Sequence, residues 1–454
     1  MKKIALILLS DYSKSWIDSG NLVQLAKQSK LTVYGSRAVL SKIEKLELNL
    51  HTEELPDIEA SRTTRILQLV SLINRRSLSS SFSFRLRRMM FGELRLLPKI
   101  ARPRSTIYAL AYNLRRIINF VLTHPIETMA FFSPLGRVIE SQLRTRFQMG
   151  SLEKFKKFKF DESINLALLP SSATEDLIFE FVEFLKQSAV KSAICIENWD
   201  NLTSKSILIS RPDFVFVMGQ FCKIHGEKIQ ALDSSQIVVA GLPRFNPYRT
   251  VPPQNSSMAV KGKMRILYLG FSVPHNERNL ICRLVSLIDS SEMHKKYEFI
   301  YKPHPVRQPR FYESVWIPTN VKTVENKSNR NGFRALPAIN ANHFKEILEA
   351  DIVIATPTSM AIESMLLRVP VIIDATDDEV HRTTARVSLK SYLHLRDLQK
   401  IEGVVFGTTA EEIFAEILRH FLGMGSTDRP SLENLIESKN SSYVSHIIEL
   451  ANRL

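Results

Sequence analysis

The turn Thr356–Ser359, with the sequence TPTS, separates a short β-branched apolar run from a stretch with helical spacing. The pattern predicts a strand at 351–355, a helix at 360–367 with Ser359 as its N-cap, and a second strand at 369–374. In a parallel sheet such a turn lies at the carboxyl edge, where the amides that begin the helix attract a phosphate. Glu363, one helical turn after Ser359, could then bind a ribose diol. An ordinary core unit without a ligand is the alternative.

The segment KPHP, residues 302–305, follows another predicted strand at 298–301. Pro303 and Pro305 stiffen the backbone on both sides of His304, as the positioning of an imidazole requires. Lys302 and Arg307 add positive charge beside the helix that begins near residue 359, which favours phosphate binding. Further candidates for phosphate contacts lie in two other loops: His275, His381 and Arg382.

Two carboxylates end predicted strands in the N-terminal half, Asp11 after 4–9 and Glu197 after 192–196. A carboxylate at such an edge can act as a general base on an acceptor hydroxyl. The structural alternatives are that Asp11 caps a helix and that Glu197 accepts backbone amides. Asp200 and Asn201, in the polar loop ENWDNLTSKS, could shape the same edge.

Several other classes of site find no support in the sequence. There is no nucleophile elbow, no P-loop and no GxGxxG fingerprint. No His, Asp and Glu residues have the spacing of metal ligands, and the three cysteines are too scattered for zinc or a disulfide framework. We therefore expect neither a bound metal nor a cofactor, and reduced cysteines suit a cytoplasmic location.

The alternation of strands and helices predicts an α/β protein with two Rossmann-like, doubly wound domains whose carboxyl edges face a cleft, the GT-B arrangement. A chain of 454 residues is too long for one compact core. We assign 1–252 to the first domain, 253–263 to a linker rich in Pro, Ser, Gly and Lys, and 264–454 to the second. The final helical region, 431–454, could instead pack back across the linker.

A basic helical insertion occupies about 62–150 of the first domain. Its part 62–116 contains thirteen Lys or Arg residues and one acid, Glu93, which is +12 of the net charge of +15. Large apolar residues alternate with these arginines, which favours an anionic membrane surface. The alternatives are an insertion that packs on its own domain and a nucleic-acid surface, but no nucleic-acid motif occurs. With no apolar run of about 18 residues, we expect a peripheral protein at the inner face of the cell membrane.

The segments KPHP, ADIVIATPTSMAIESMLLRVPVI and ENWDNLTSK, with RPDFVFVMGQ and VVAGLPRFNPY, together resemble bacterial GT-B glycosyltransferases. The group is that of capsule and surface polysaccharides, which is similar to the CDP-glycerol glycerophosphotransferases. The resemblance covers 164–374 and the first strand. It implies a metal-independent transfer from a nucleotide-activated donor held by four residues: His304, Thr358, Ser359 and Glu363.

The expected function is therefore a glycosyltransferase, or glycerophosphotransferase, acting on a surface-glycan or lipid-linked acceptor. Two alternatives remain. One is a nucleotide-sugar epimerase, which shares the fold. The other is a non-catalytic protein that binds membrane or nucleic acid through 62–116.

Overall fold

The computed structural model describes most of the chain outside the basic segment and a few loops. The described residues are 1–9, 13–74, 114, 118, 121–122, 125, 134–171, 175–188, 190–205, 207–249, 262–271, 275–304, 318–324, 341–379, 381, 384–425, 430–437 and 442–454. They fall into two compact units. The first unit comprises the described residues up to Asn246 together with Leu432–Leu454, and the second runs from Pro247 to Ser431.

The first unit is built on a parallel sheet of seven strands in the order β3-β2-β1-β4-β5-β6-β7. The strands are β1 Lys3–Leu8, β2 Lys30–Gly35, β3 His51–Glu54, β4 Leu166–Ser171, β5 Lys191–Ile196, β6 Phe214–Val217 and β7 Ile237–Val239. Most positions of the central strands β1, β4 and β5 are buried, as expected for a sheet covered by helices on both faces. The short strand β3 lies at the sheet edge and pairs with β2.

Helices of the first unit present apolar faces to this sheet. Their bounds are Ser13–Asp18, Asn21–Gln28, Arg37–Glu44, Arg62–Asn74, Gly136–Phe155, Asp176–Leu185, Gln220–Lys228 and Tyr443–Arg453. In Asn21–Gln28, for example, Leu22 and Leu25 are fully buried against the strand residues Ile4 and Leu6. Such burial stabilises by roughly 1.5–3 kcal/mol for each leucine side chain.

The second unit has a parallel sheet of six strands in the order β10-β9-β8-β11-β12-β13. The strands are β8 Met264–Leu269, β9 Tyr297–Lys302, β10 Val321–Thr323, β11 Ile352–Ala355, β12 Val371–Asp374 and β13 Val405–Gly407. Its helices are Glu277–Asp289, Ala341–Leu348, Ser359–Leu366, Ala385–Ser391, Leu393–Leu398 and Ala410–Phe421. The strand order reverses between β8 and β11, and ligands of open α/β sheets bind beyond the carboxyl ends at such a point.

Two helices of the basic insertion, Arg62–Asn74 and Gly136–Phe155, pack on the first unit. Glu140 accepts hydrogen bonds from Ser71 at 2.7 Å and from Asn74 at 2.7 Å, which joins helix Gly136–Phe155 to helix Arg62–Asn74. The buried Glu180 accepts from Thr64 and pairs with Lys154, which ties both helices to Asp176–Leu185. These two helices therefore pack on their own domain, which was one of the alternatives to a membrane surface. Most of 62–116 lies outside the described residues.

Several large apolar side chains between residues 114 and 149 are exposed. They include Leu114 (59%), Ile118 (49%), Leu122 (74%), Leu135 (54%), Val138 (52%) and Met149 (67%). Within the described residues, no helix combines the length and the apolar character needed to span a membrane.

The last helix, Tyr443–Arg453, packs in the core of the first unit rather than with the rest of 264–454. The Tyr443 ring meets Trp16 edge to face, with centroids 5.7 Å apart. The segment before the helix lies so close to Gly219 that a Cβ there would sit 2.2 Å from the Leu435 carbonyl oxygen. These contacts show that helix Tyr443–Arg453 packs on the first unit. The sequence had left this packing as an alternative for 431–454.

Candidate functional site

Three strand ends of the second unit lie side by side at its carboxyl edge. Leu269 of β8 is in register with Lys302 of β9 on one side and with Ala355 of β11 on the other. Thr356 donates both its backbone N–H and its hydroxyl to the Leu269 carbonyl oxygen, each at 3.2 Å. The loops after these strands therefore begin together at the point where the strand order reverses.

Gly270 allows the loop after β8 to approach the KPHP segment closely. A Cβ at this position would lie 3.0 Å from the His304 backbone nitrogen and 3.1 Å from Pro303 Cα. It would also lie 2.9 Å from a carboxylate oxygen of Glu277, which is buried and accepts a hydrogen bond from Tyr301. A side chain at 270 would therefore displace His304 or Glu277.

The helix Ser359–Leu366 begins one residue earlier than the sequence pattern indicated. Its N-cap is Thr358, and Ser359 is the first helical residue. The Thr358 side chain makes no capping bond, and within the described residues its buried hydroxyl has no hydrogen-bond partner. A buried hydroxyl without a partner costs about 1–3 kcal/mol, so the Thr358 hydroxyl does not stabilise the start of this helix.

Replacing Thr358 by Val tests this directly. Because Val removes an unsatisfied hydroxyl and keeps the shape, we expect the free energy of unfolding to stay the same or rise by about 1 kcal/mol. If the hydroxyl binds a donor phosphate, nucleotide affinity falls about tenfold, the value of one hydrogen bond to a charged group. Calorimetric unfolding and nucleotide titration measure the two effects.

A buried threonine at another helix start provides the control. Thr384 accepts a hydrogen bond from the Val387 amide at 3.2 Å, so Thr384→Val should cost about 1 kcal/mol of stability. Nucleotide affinity should not change in this variant. Equal nucleotide affinity of Thr358→Val and the wild type would remove Thr358 from the donor site.

Glu363 lies on the same helix and is 5% exposed. One of its carboxylate oxygens accepts a hydrogen bond from the Tyr248 hydroxyl at 2.5 Å. This bond fixes the carboxylate one helical turn from the N-terminus of the helix. The proposed contact of Glu363 with a ribose stays a prediction.

Lys302, the first residue of the KPHP segment, is already paired. Lys302 forms an ion pair with Glu346 of helix Ala341–Leu348, which reduces the positive charge it offers to a phosphate. His304 is partly buried directly after β9, beside Gly270. Arg307 lies outside the described residues. The roles of Lys302 and His304 in donor binding stay predictions.

His275 lies in a buried polar network and is 2% exposed. Its Nε2 lies 3.4 Å from an Asp374 carboxylate oxygen, and its Nδ1 lies 3.6 Å from an Asp378 carboxylate oxygen. The same Asp374 accepts the Tyr268 hydroxyl at 2.7 Å and the Thr376 hydroxyl at 2.7 Å. This network joins the loop after β8 to the loop after β12.

The charges of the network favour an imidazolium beside carboxylates. Burial alone lowers the pKa of His275, but its hydrogen bond to Asp374 and the charges of three acids outweigh burial and raise it. Burial raises the pKa of Asp374, yet hydrogen bonds from His275, Thr376 and Tyr268 give a net lowering. His275 is therefore held by carboxylates of its own unit, and its contact with a phosphate stays a prediction.

His381 belongs to the same network. Its Nδ1 lies 2.6 Å from Asp378, which also accepts the Asn276 amide at 2.6 Å. Thus the structure brings His275 and His381 to the same acid. Arg382 lies outside the described residues.

In the first unit, Glu197 is the best placed carboxylate at the carboxyl edge. It is 1% exposed and accepts hydrogen bonds from the Ser15 hydroxyl at 2.8 Å and the Trp16 indole N–H at 3.0 Å. Burial raises the pKa of Glu197 to about 7, against the lowering effects of Ser15, Trp16 and the charge of Arg244. A carboxyl with such a pKa can exchange a proton near neutral pH, as a general base must. Asp11 lies outside the described residues.

The polar loop after Glu197 is held by contacts that the sequence did not indicate. Asn198 accepts a hydrogen bond from Arg244 at 3.1 Å, and Lys205 pairs with Asp200 at 2.9 Å. Gln230 donates to the Leu202 carbonyl oxygen at 2.8 Å. Arg244 was not among the residues predicted from the sequence. Its position just after a predicted strand, in the segment GLPRFNPY, could have indicated that it lies at the carboxyl edge.

Across the residues that the structure describes, no three His, Cys, Asp or Glu side chains are grouped so that they could hold a metal ion.

No protein-family model matches the chain, and no curated protein matches it. Solved structures do. A UDP-GlcNAc 2-epimerase from Methanocaldococcus jannaschii matches with a TM-score of 0.50 and 9% identity over 100% of both chains. A Listeria monocytogenes protein described as a UDP-N-acetylglucosamine 2-epimerase matches with a TM-score of 0.50 and 11% identity, over 100% of this chain and 96% of that one.

MurG from Acinetobacter baumannii matches with a lower TM-score of 0.45 and 8% identity over 100% of both chains. At these identities the first two likenesses show the fold alone. The chain therefore has two Rossmann-like, parallel α/β units of the GT-B type, and the predicted fold class is confirmed.

Proposed function

We propose that the chain is a glycosyltransferase that moves a sugar, or a polyol phosphate, from a nucleotide-activated donor to a surface-glycan or lipid-linked acceptor. The observation that carries the proposal is the helix start at Thr358. There, a buried hydroxyl without a described partner and the first helical amides lie where the strand order reverses.

The second unit holds the donor in this proposal. The amides that begin helix Ser359–Leu366 and the Thr358 hydroxyl bind the phosphates, and Glu363 binds the ribose. For a sugar donor, the bond between the anomeric carbon and the phosphate oxygen breaks, and the nucleotide leaves as an anion. Helix-terminal amides and His304 stabilise that charge, so we expect transfer to be independent of a metal.

The first unit supplies the base. Glu197 in its ionised form takes the proton of an acceptor hydroxyl, whose oxygen attacks the anomeric carbon as the nucleotide leaves. The hydrogen bonds from Ser15 and Trp16 keep the carboxylate in one orientation. Asp11 is the second candidate for this role.

The test is release of nucleotide from an activated sugar by the purified protein when an acceptor is added. We expect release to depend on the acceptor, and His304→Ala and Glu363→Ala to reduce it sharply. Normal turnover in both variants would contradict the donor site.

A nucleotide-sugar epimerase is the second candidate. It is favoured by the two solved structures with a TM-score of 0.50, both described as UDP-N-acetylglucosamine 2-epimerases. The same incubation without acceptor decides between the two reactions, because an epimerase forms an epimer and a transferase leaves the donor unchanged.

We also propose that the basic insertion binds an anionic membrane surface. Leu114, Ile118 and Leu122 have helical spacing and exposed side chains, and Arg137 and Arg146 are exposed on helix Gly136–Phe155. Exposed apolar residues among cations suit an anionic lipid surface. Location at the inner face of the cell membrane follows from this proposal and gives access to a lipid-linked acceptor.

Vesicle flotation tests the membrane proposal. The wild type should float with anionic vesicles and much less with neutral ones, and Ile118→Asp with Leu122→Asp should reduce flotation at least severalfold. Ile224→Asp, at an exposed apolar position elsewhere in the first unit, is the control. Equal flotation on both lipids would contradict the electrostatic account. Flotation without any nucleotide binding would instead favour a non-catalytic protein.

A further inference from the structure

A buried guanidinium at the carboxyl edge of the first unit has no acidic partner within ion-pair distance in the described part of the chain. Arg244 lies in the turn Pro243–Arg249 after β7 and is 7% exposed. It donates from Nη2 to the Asn198 side-chain oxygen at 3.1 Å, and its buried Nε has no partner among the described residues. Buried charges are normally paired, because an isolated one is costly to desolvate.

A second group at the same edge is also unsatisfied. Asn201 is fully buried, and neither its side-chain oxygen nor its nitrogen has a hydrogen-bond partner among the described residues. Its backbone amide donates to the Asn198 carbonyl oxygen at 3.2 Å, so both residues belong to one tight loop. An amide offers one acceptor and two donors, which matches a hydroxyl.

These groups lie together with Glu197. Asn198 follows Glu197 in the chain, and the charge of Arg244 acts on the Glu197 carboxyl. Asn21, the first residue of helix Asn21–Gln28, donates to the Pro243 carbonyl oxygen at 2.7 Å and so holds the turn that carries Arg244. A cation, an amide and the candidate base therefore occupy one edge, contributed by the segments after β5 and β7.

We propose that Arg244, Asn198 and Asn201 form a subsite for a sugar that carries a phosphate or a carboxylate. The guanidinium binds the anionic group through charge-assisted hydrogen bonds, and the Asn201 amide binds a neighbouring hydroxyl. The ligand approaches from the side of Asn198, which is partly exposed, and reaches Arg244, which is 7% exposed. Anion binding follows from these groups alone, whereas its role as the acceptor subsite rests on the proposed transferase function.

Direct titration of the full chain tests the subsite. The probes are glucose 6-phosphate, glucuronate and glucose, so that phosphate, carboxylate and neutral ligands are compared. The wild type should bind one or both anionic sugars at least tenfold more tightly than glucose. Arg244→Gln should remove that preference, and Arg211→Gln, at an exposed arginine of the same unit, should keep it.

The unliganded stability of Arg244→Gln separates binding from a structural role. Below about pH 7, where Glu197 is protonated, removing a buried charge that has no ion pair among the described residues should leave the unfolding temperature unchanged or raised. If this variant does not fold, Asn201→Ser is titrated instead, with an expected loss of affinity of about tenfold. Unchanged preference in the variant, or no preference in the wild type, would overturn the subsite.

Nucleotide titration of the wild type in parallel distinguishes the two proposals. Preference for anionic sugars without nucleotide binding supports the anion subsite and contradicts the transferase. Nucleotide binding without that preference contradicts the subsite alone.

Discussion

Replacing Glu197 by Gln should lower kcat of the transfer reaction by about 10²–10⁴-fold, the usual contribution of a positioned general base. Gln keeps the size of the side chain and still offers an oxygen to Ser15 or Trp16, so the packing of the edge is preserved. Steady-state kinetics with saturating donor measures the effect. The control is Glu153→Gln, an exposed glutamate of the same unit, which should keep full activity.

The pH dependence gives the same assignment a second test. Because burial raises the pKa of Glu197 to about 7, the wild-type rate should rise with pH through about 7 as the carboxyl ionises. Arg244 and Glu175 act on this carboxyl with opposite signs, and Arg244→Gln should move the rising limb to higher pH. A flat profile, or a Gln variant with normal turnover, would assign Glu197 a purely structural role.

The free energy of unfolding should fall over the pH range in which the rate rises. The folded state binds the Glu197 proton more tightly than the unfolded state, whose ordinary pKa is 4.5. The contribution of this group to the free energy of unfolding is therefore fully present below pH 4.5 and is lost as pH rises through about 7. Glu197→Gln should abolish this component, so the variant gains stability relative to the wild type above neutral pH.

Replacing Glu363 by Ala should raise the donor KM roughly 10- to 150-fold, the value of about 1.5–3 kcal/mol for hydrogen bonds to a charged group. The effect should appear with every donor that carries the same ribose. Tyr248→Phe removes one hydrogen bond to the carboxylate and should have a smaller effect of the same sign. Glu402→Ala, at an exposed acid of the same unit, is the control. An unchanged KM in Glu363→Ala would remove the ribose contact.

Local sequence patterns were sufficient to predict the strands on which the candidate site depends. The β-branched run before Thr356 and the apolar run before Lys302 are strands because each can be buried on both faces. The loops that follow such strands must lie at one edge, so the position of Thr358 and Glu363 followed from the pattern.

The pairings between distant segments could not be predicted from local patterns. Arg244 meets Asn198 across 46 positions, and Lys302 meets Glu346 across 44. Both contacts depend on how loops from different strands pack, which periodicity does not encode. The N-cap also shifted from Ser359 to Thr358, because either residue type suits a helix start and only the backbone conformation decides.

The most direct test of the central claim is a thermal-shift titration of the purified chain with CMP, CDP, UDP, GDP and ADP. Nucleotide binding at Thr358 and Glu363 predicts that at least one of them raises the unfolding temperature of the wild type. The same nucleotide should have much less effect on Thr358→Val and Glu363→Ala, and its full effect on Thr384→Val. No shift with any nucleotide, or an equal shift in all four proteins, would contradict the account.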